Sequence, residues 1–129
     1  MKVTAISENH LYKKAYVKGQ KAFGRHIVVY VLTDYHAARL ARANPLKKKI
    51  NRVGLAVSKK TGGAVTRSRI KRIIRAAYQS LEKKNDIKKG FLIVLAAKQS
   101  AADAKSTDIY EDLLYTFGKL KMFASGEQK

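Results

Sequence analysis

Two sets of side chains in this sequence could do chemistry, and in both the chemistry is binding. The first is a row of cations at Arg67, Arg69, Lys71, Arg72 and Arg75, with Ser68 among them and Lys59 and Lys60 just before. On a helix at 100° per residue, Ser68, Arg69, Lys71, Arg72 and Arg75 spread over one side. Ile70, Ile73, Ile74, Ala77 and Leu81 gather on the other. A solvated helix face ordinarily mixes signs, because opposite charges at i,i+4 help and like charges do not. This face carries no acid. Guanidinium groups fork onto phosphate oxygens and ammonium groups act as point charges, so the pattern fits a polyanion. The second set is Tyr12 and Tyr16, one helical turn apart, with Tyr30 in a strand that could face them. Aromatic faces beside a positive groove hold single-stranded nucleic acid, at about 1–3 kcal/mol per stacked base. Two tyrosines a turn apart also serve as ordinary packing.

Bond-breaking chemistry has no comparable signature. His10, His26 and His36 fall at no ligand spacing and near no paired carboxylate. There is no cysteine, which removes thiolate metal sites and thiol nucleophiles. Asp108, Glu111 and Asp112 read as charges at the positive end of a helix. The expectation is a chain with no catalytic residue and no metal or other cofactor of its own.

The composition agrees. The chain has 129 residues, 28 Lys+Arg against 9 Asp+Glu, and a formal net charge of +19. Such a field repels itself, so a polyanion partner is expected: nucleic acid first, an anionic membrane surface second. No residue from 35 to 81 is acidic, while the acids gather later in the chain. The longest apolar runs, 27–32 and 91–97, are far short of the ~20 residues needed to span a bilayer. The N-terminal segment lacks a signal-peptide apolar core. With 46% apolar residues, the expectation is one domain over residues 1–129, with residues 124–129 as a flexible tail, in a soluble cytoplasmic protein.

The elements that must position these residues can be read in outline. Residues 8–18 suit a helix capped by Ser7 and ended by Gly19 in the left-handed conformation. Residues 26–33 and 52–58 suit buried strands, and Pro45 stops any helix in the loop between them. A loop with a short helical turn is expected at 34–43. Residues 59–63, with paired glycines, suit a loop. The basic helix is expected over 66–83, a third apolar strand over 91–97 after a turn at Gly90, and a last helix over 107–122. The fold class is an α/β sandwich around a small sheet.

From Arg52 to Arg75 the chain reads RVGLAVSKKTGGAVTRSRIKRIIR. This closely resembles the signature R-x-G-x-x-V-S-K-K-x-G-x-A-V-x-R-N-R-x-K-R-x-x-R of the protein subunit of bacterial ribonuclease P. Tyr12, Tyr16, Gly19, Arg25 and Tyr30 resemble that family's first helix and first strand. The likeness is firm over residues 7–97 and holds only in layout beyond. Ser68 stands where the family has asparagine, and Ala76 where an acid is common. Serine keeps a hydroxyl but loses the amide's paired donor and acceptor.

The resemblance implies a two-layer α+β sandwich with three helices and about four strands in the order α-β-β-β-α-β-α. It also implies a left-handed β-α-β crossover, against the usual right-handed rule, as in the second domain of a small-subunit ribosomal protein. It implies a division of labour. Lys59, Lys60, Arg67, Ser68, Arg69, Lys71, Arg72 and Arg75 would bind the catalytic RNA of the holoenzyme. Tyr12, Tyr16, Arg25 and Tyr30 would line a cleft for the 5′ leader of precursor tRNA. Hydrolysis would be done by the RNA with its own Mg²⁺. Sulfate and phosphate are expected to bind and stabilise the protein. The competing class is a non-enzymatic structural RNA binder, such as a ribosomal protein, and a third is a self-sufficient metal-dependent nuclease.

Overall fold

The computed structural model describes residues 9–33, 51–85 and 87–123. The expected cap at Ser7, the loop at 34–43, Pro45 and the tail lie outside them. Helix α1 spans Asn9–Lys18, and strands β1 and β2 span Gln20–Phe23 and Ile27–Thr33. Strand β3 spans Arg52–Ala56, helix α2 Ala64–Lys84, strand β4 Phe91–Ala97 and helix α3 Ser106–Lys119. Short 3-10 turns occupy Lys59–Thr61 and Gln99–Asp103.

The sheet order is β1-β2-β4-β3. β2 is antiparallel to both neighbours, and β3 and β4 are parallel, joined by α2. β2 and β4 sit in the middle with helices on both faces, which is why both read as unbroken apolar runs. Ile27, Val29 and Val31 of β2, Ile93 and Leu95 of β4 and Val53 of β3 share one core. Ile70, Ile74, Ala77, Tyr78 and Leu81 of α2 and Ile109, Leu113 and Phe117 of α3 complete it. Each such Val, Leu, Ile or Phe side chain stabilises by about 1.5–3 kcal/mol over leaving it exposed. The alternate residues Leu92 and Val94 face the other way, against Ala15 of α1, with Tyr12, Tyr30, Leu32 and Ala56 around them.

Several expectations change in detail. The strand that the family order requires beyond the three apolar runs is β1, whose only buried side chain is Ala22. Gly19 does not adopt a left-handed backbone, and among the described glycines only Gly62 and Gly90 have positive φ. It is glycine because a Cβ there would lie 2.5 Å from the Ala15 carbonyl oxygen and 3.0 Å from that of Val31. Helix α2 starts two residues before the expected point, and α3 stops at Lys119 rather than running to residue 122. Lys121 takes a φ of 56°, which turns Met122 and Phe123 back into the core, where Phe123 bridges Ile87.

Tyr78 is 1% exposed and its hydroxyl donates to the Glu82 carboxylate at 3.0 Å. Burial, and then the Glu82 charge, push its pKa well above the usual 10. The neutral phenol is therefore favoured by folding. This contribution is intact below pH 10 and is lost as the pH rises from there towards the folded value. Urea titrations at rising alkaline pH should show stability falling steadily above pH 10, and Tyr78→Phe should flatten part of that fall.

Candidate nucleic-acid interface

Helix α2 carries the basic face on a rigid 21-residue rod whose apolar stripe is anchored in the core. Ser68, Lys71, Arg72 and Arg75 are exposed, and Arg67 and Arg69 are half-buried. Among the described residues, no carboxylate contacts Lys71, Arg72 or Arg75, and Glu82 is taken up by Lys89 at 3.2 Å and by Tyr78. Arg69 is different. Its guanidinium donates to the carbonyls of Ala102 and Ala104, at 3.0 and 3.3 Å, and ties α2 to the 3-10 turn before α3. The wheel places Arg69 on the open face, but its long side chain carries the guanidinium across to the carbonyls of the neighbouring turn. Arg67 buries its Nε without a hydrogen-bond partner among the described residues.

The exposed Lys59 and Lys60 stand on the turn that leads into α2. That turn is braced by the Thr61 hydroxyl, which donates to the Ser58 carbonyl at 2.6 Å. Gly62, with φ of 149°, brings the backbone so close to Thr66 that a Cβ would lie 2.9 Å from its side chain. The sharp entry sets both exposed lysines only a few residues before the first turn of α2.

On the other face of the sheet, α1 sets its tyrosines over the strands. The Tyr16 and Tyr30 rings meet edge to face, with centroids 4.8 Å apart and planes at 75°. Tyr12 lies over Gly54, where a Cβ would come 2.5 Å from the phenol oxygen. Tyr16 remains 39% exposed. Burial, then the neighbouring phenols Tyr30 and Tyr12, raise its pKa, so at neutral pH it is an uncharged ring with a hydroxyl to donate. Tyr16 and Tyr30 line an open hollow of about 560 Å³ with Ala56, Ser58, Ala96 and Lys71.

Lys71 thus links the two surfaces: it stands on the basic face of α2 and at the rim of the tyrosine hollow. Sequence reasoning placed it only on the former. Arg25 is not brought to the tyrosines. It is exposed in the β1–β2 turn and borders a separate hollow of about 300 Å³ with Phe23, His26, Asp108, Glu111, Asp112 and Tyr115. Asp112 there accepts the His26 backbone N–H, and Asp108 accepts that of Lys105 at 2.9 Å. Among the described residues no group of three or more His, Asp or Glu is placed to hold a metal ion. Nor is any helix among them long and apolar enough to cross a membrane.

Comparison with known proteins bears on this geometry. The family model described as Ribonuclease P matches residues 1–121. The ribonuclease P protein component of Clostridium acetobutylicum is 33% identical over 119 residues, which cover 92% of this chain and 90% of the relative. That of Clostridioides difficile is 36% identical over 98 residues, covering 76% and 75%. The solved RNase P protein of Staphylococcus aureus superposes with a TM-score of 0.73 at 30% identity, over 95% of this chain and 99% of that one. The RNase P protein from Thermotoga maritima has the same fold, with a TM-score of 0.66 at 19% identity over 86% and 92%.

Proposed function

This chain belongs to the ribonuclease P protein family, and from that premise we propose that it binds the catalytic RNA and the 5′ leader of precursor tRNA during removal of the leader. One observation carries the reading: the row of Lys71, Arg72 and Arg75, which meets no carboxylate among the described residues, runs through Lys71 into a hollow walled by Tyr16 and Tyr30. The row supplies phosphate contacts, in which Arg72 and Arg75 fork onto oxygens. The hollow supplies stacking faces for unpaired bases, with Lys71 beside them to offset the strand's charge. Lys59, Lys60, Ser68 and the half-buried Arg67 extend the RNA surface around the start of α2. Tyr12 seats the first helix against Gly54, and so fixes the distance between Tyr16 and the sheet. Arg25 reaches the leader only if the strand turns towards β1.

Mg²⁺ held by the RNA would activate water and stabilise the leaving oxygen. The chain's own part is to screen charge between two RNAs and hold the leader in line. Sulfate and phosphate would compete for the same guanidinium groups. A cysteine-free chain suits action in the reducing cytoplasm.

The test is reconstitution at low salt with the catalytic RNA, precursor tRNA and Mg²⁺, reading the 5′ end of the product. A correctly trimmed end from the mixture, and none from the chain alone, is expected. RNA binding without any stimulation of cleavage would instead make it a structural RNA-binding protein. In the active mixture, Tyr16→Ala should weaken precursor tRNA binding by roughly fivefold to 150-fold, the equivalent of one lost stack. Its affinity for the catalytic RNA should be unchanged.

A further inference from the structure

Phe23 ends β1 and is 59% exposed. Single exposed rings are common, but this one stands between two ammonium groups. The Nζ of Lys21 lies 6.0 Å and that of Lys98 5.8 Å from its centroid. Lys98 is fixed there, because its ammonium donates to the Gly24 carbonyl at 2.6 Å and its backbone N–H to that of His26 at 2.8 Å.

The strand register decides which way the ring faces. Phe23 pairs with Val28, Val28 with Ala96, and Ala96 with Ala56. Paired residues share a face, and residues two apart on a strand share it too. By register Phe23 therefore lies on the side of Tyr30, the α1 side, and from the sheet edge it also borders the hollow of Arg25, Asp108, Glu111 and Asp112. The row Phe23, Val28, Ala96, Ala56 runs across all four strands. It lies one step beyond the row of Lys21, Tyr30, Val94 and Gly54, which Tyr12 and Tyr16 overlie. Its middle is small and smooth. One end opens into the hollow at Ala56 and Lys71, and the other ends at the Phe23 ring. Three strand spacings of about 4.8 Å make the row about 14 Å long. Nucleotides repeat at about 3.4 Å when stacked and at more when splayed, so it accommodates up to about four of them.

We infer that Phe23, flanked by the ammonium groups of Lys21 and Lys98, is a stacking platform for a leader base beyond those held at Tyr16 and Tyr30. The inference rests on the leader-binding reading above. Both cations sit at the outer limit of attraction to the ring, where the contact is weak. A bound nucleotide draws Lys21 onto its phosphate and meets Lys98 where the Gly24 carbonyl holds it, and the ring face is left to the base. The platform makes affinity depend on leader length, with a step where the strand first reaches β1.

The experiment uses holoenzyme assembled from the full chain and the catalytic RNA. It measures binding of precursor tRNAs whose leaders run from none to about eight nucleotides. Phe23→Ala should lose roughly fivefold to 150-fold in affinity for the longest leaders, one base stack's worth. It should lose nothing for leaderless tRNA or the shortest leaders. Phe23→Trp should restore the step and Phe23→Leu should not, with melting temperatures alike because the ring is exposed. If affinity grows with leader length and Tyr16→Ala abolishes that growth while Phe23→Ala leaves it intact, the platform is wrong and the tyrosine cleft stands. An equal loss with and without a leader also overturns the platform. If wild-type holoenzyme does not distinguish leader lengths at all, the leader reading fails and takes this inference with it.

Discussion

Replacing Lys71, Arg72 and Arg75 together with alanine should weaken binding to the catalytic RNA by two to three powers of ten at low salt. The three side chains are exposed and meet no carboxylate among the described residues, so nothing internal offsets their loss. A charge-assisted phosphate contact at a solvated surface contributes about 1–1.5 kcal/mol, and three of them about 3–4.5 kcal/mol. The slope of log affinity against log salt should become shallower by about 2–3, near one unit per phosphate released. Filter binding or fluorescence titration over a salt series reads both quantities. An unchanged slope would remove α2 from the RNA surface whatever the affinity does.

Arg69→Ala is the informative contrast, because its guanidinium already holds the carbonyls of Ala102 and Ala104. It should lower unfolding free energy by about 1–3 kcal/mol. The triple variant should leave urea midpoints nearly unchanged, or raise them, since it relieves like-charge repulsion.

That contrast also marks how far the sequence reaches. The stripe of α2 was legible because Ile70, Ile74, Ala77 and Leu81 recur with the helical period, and the same period adds Tyr78, which is fully buried. The apolar runs of β2 and β4 were legible because both faces of each strand are covered. β1 was not, because an edge strand with one inward side chain carries no apolar run. Arg69 and Arg25 show a different limit. A wheel gives the direction in which a Cα–Cβ bond leaves the helix, and an arginine's charge lies several bonds further on. A turn residue such as Arg25 can face either side of a sheet edge, and its neighbours in space, Asp108 and Asp112, lie more than eighty residues away in sequence. The role of Lys71 in joining helix to hollow was hidden for the same reason. It depends on how closely α2 begins beyond the end of β3, which is a matter of packing rather than period.

Gly19 offers the sharpest test that the first helix is one wall of the leader site. Its backbone is not left-handed, so alanine meets no conformational objection there. The objection is purely of space. The added methyl would lie 2.5 Å from the Ala15 carbonyl oxygen and 3.0 Å from that of Val31, and neither atom belongs to a side chain that could rotate away. The end of α1 and strand β2 must therefore separate, and the Tyr16–Tyr30 contact at 4.8 Å must open with them. Overpacking of this kind costs about 1–3 kcal/mol, which for a chain of this size lowers the melting temperature by several degrees. The functional loss should be selective. Gly19→Ala should lose as much leader-dependent affinity as Tyr16→Ala, while the basic face of α2, anchored on the opposite side of the sheet, should keep its hold on the catalytic RNA. A destabilised variant with full leader discrimination would mean that the spacing of α1 from the sheet does not set the leader site. Equal losses for both RNAs would mean that the two faces of the sheet do not act separately.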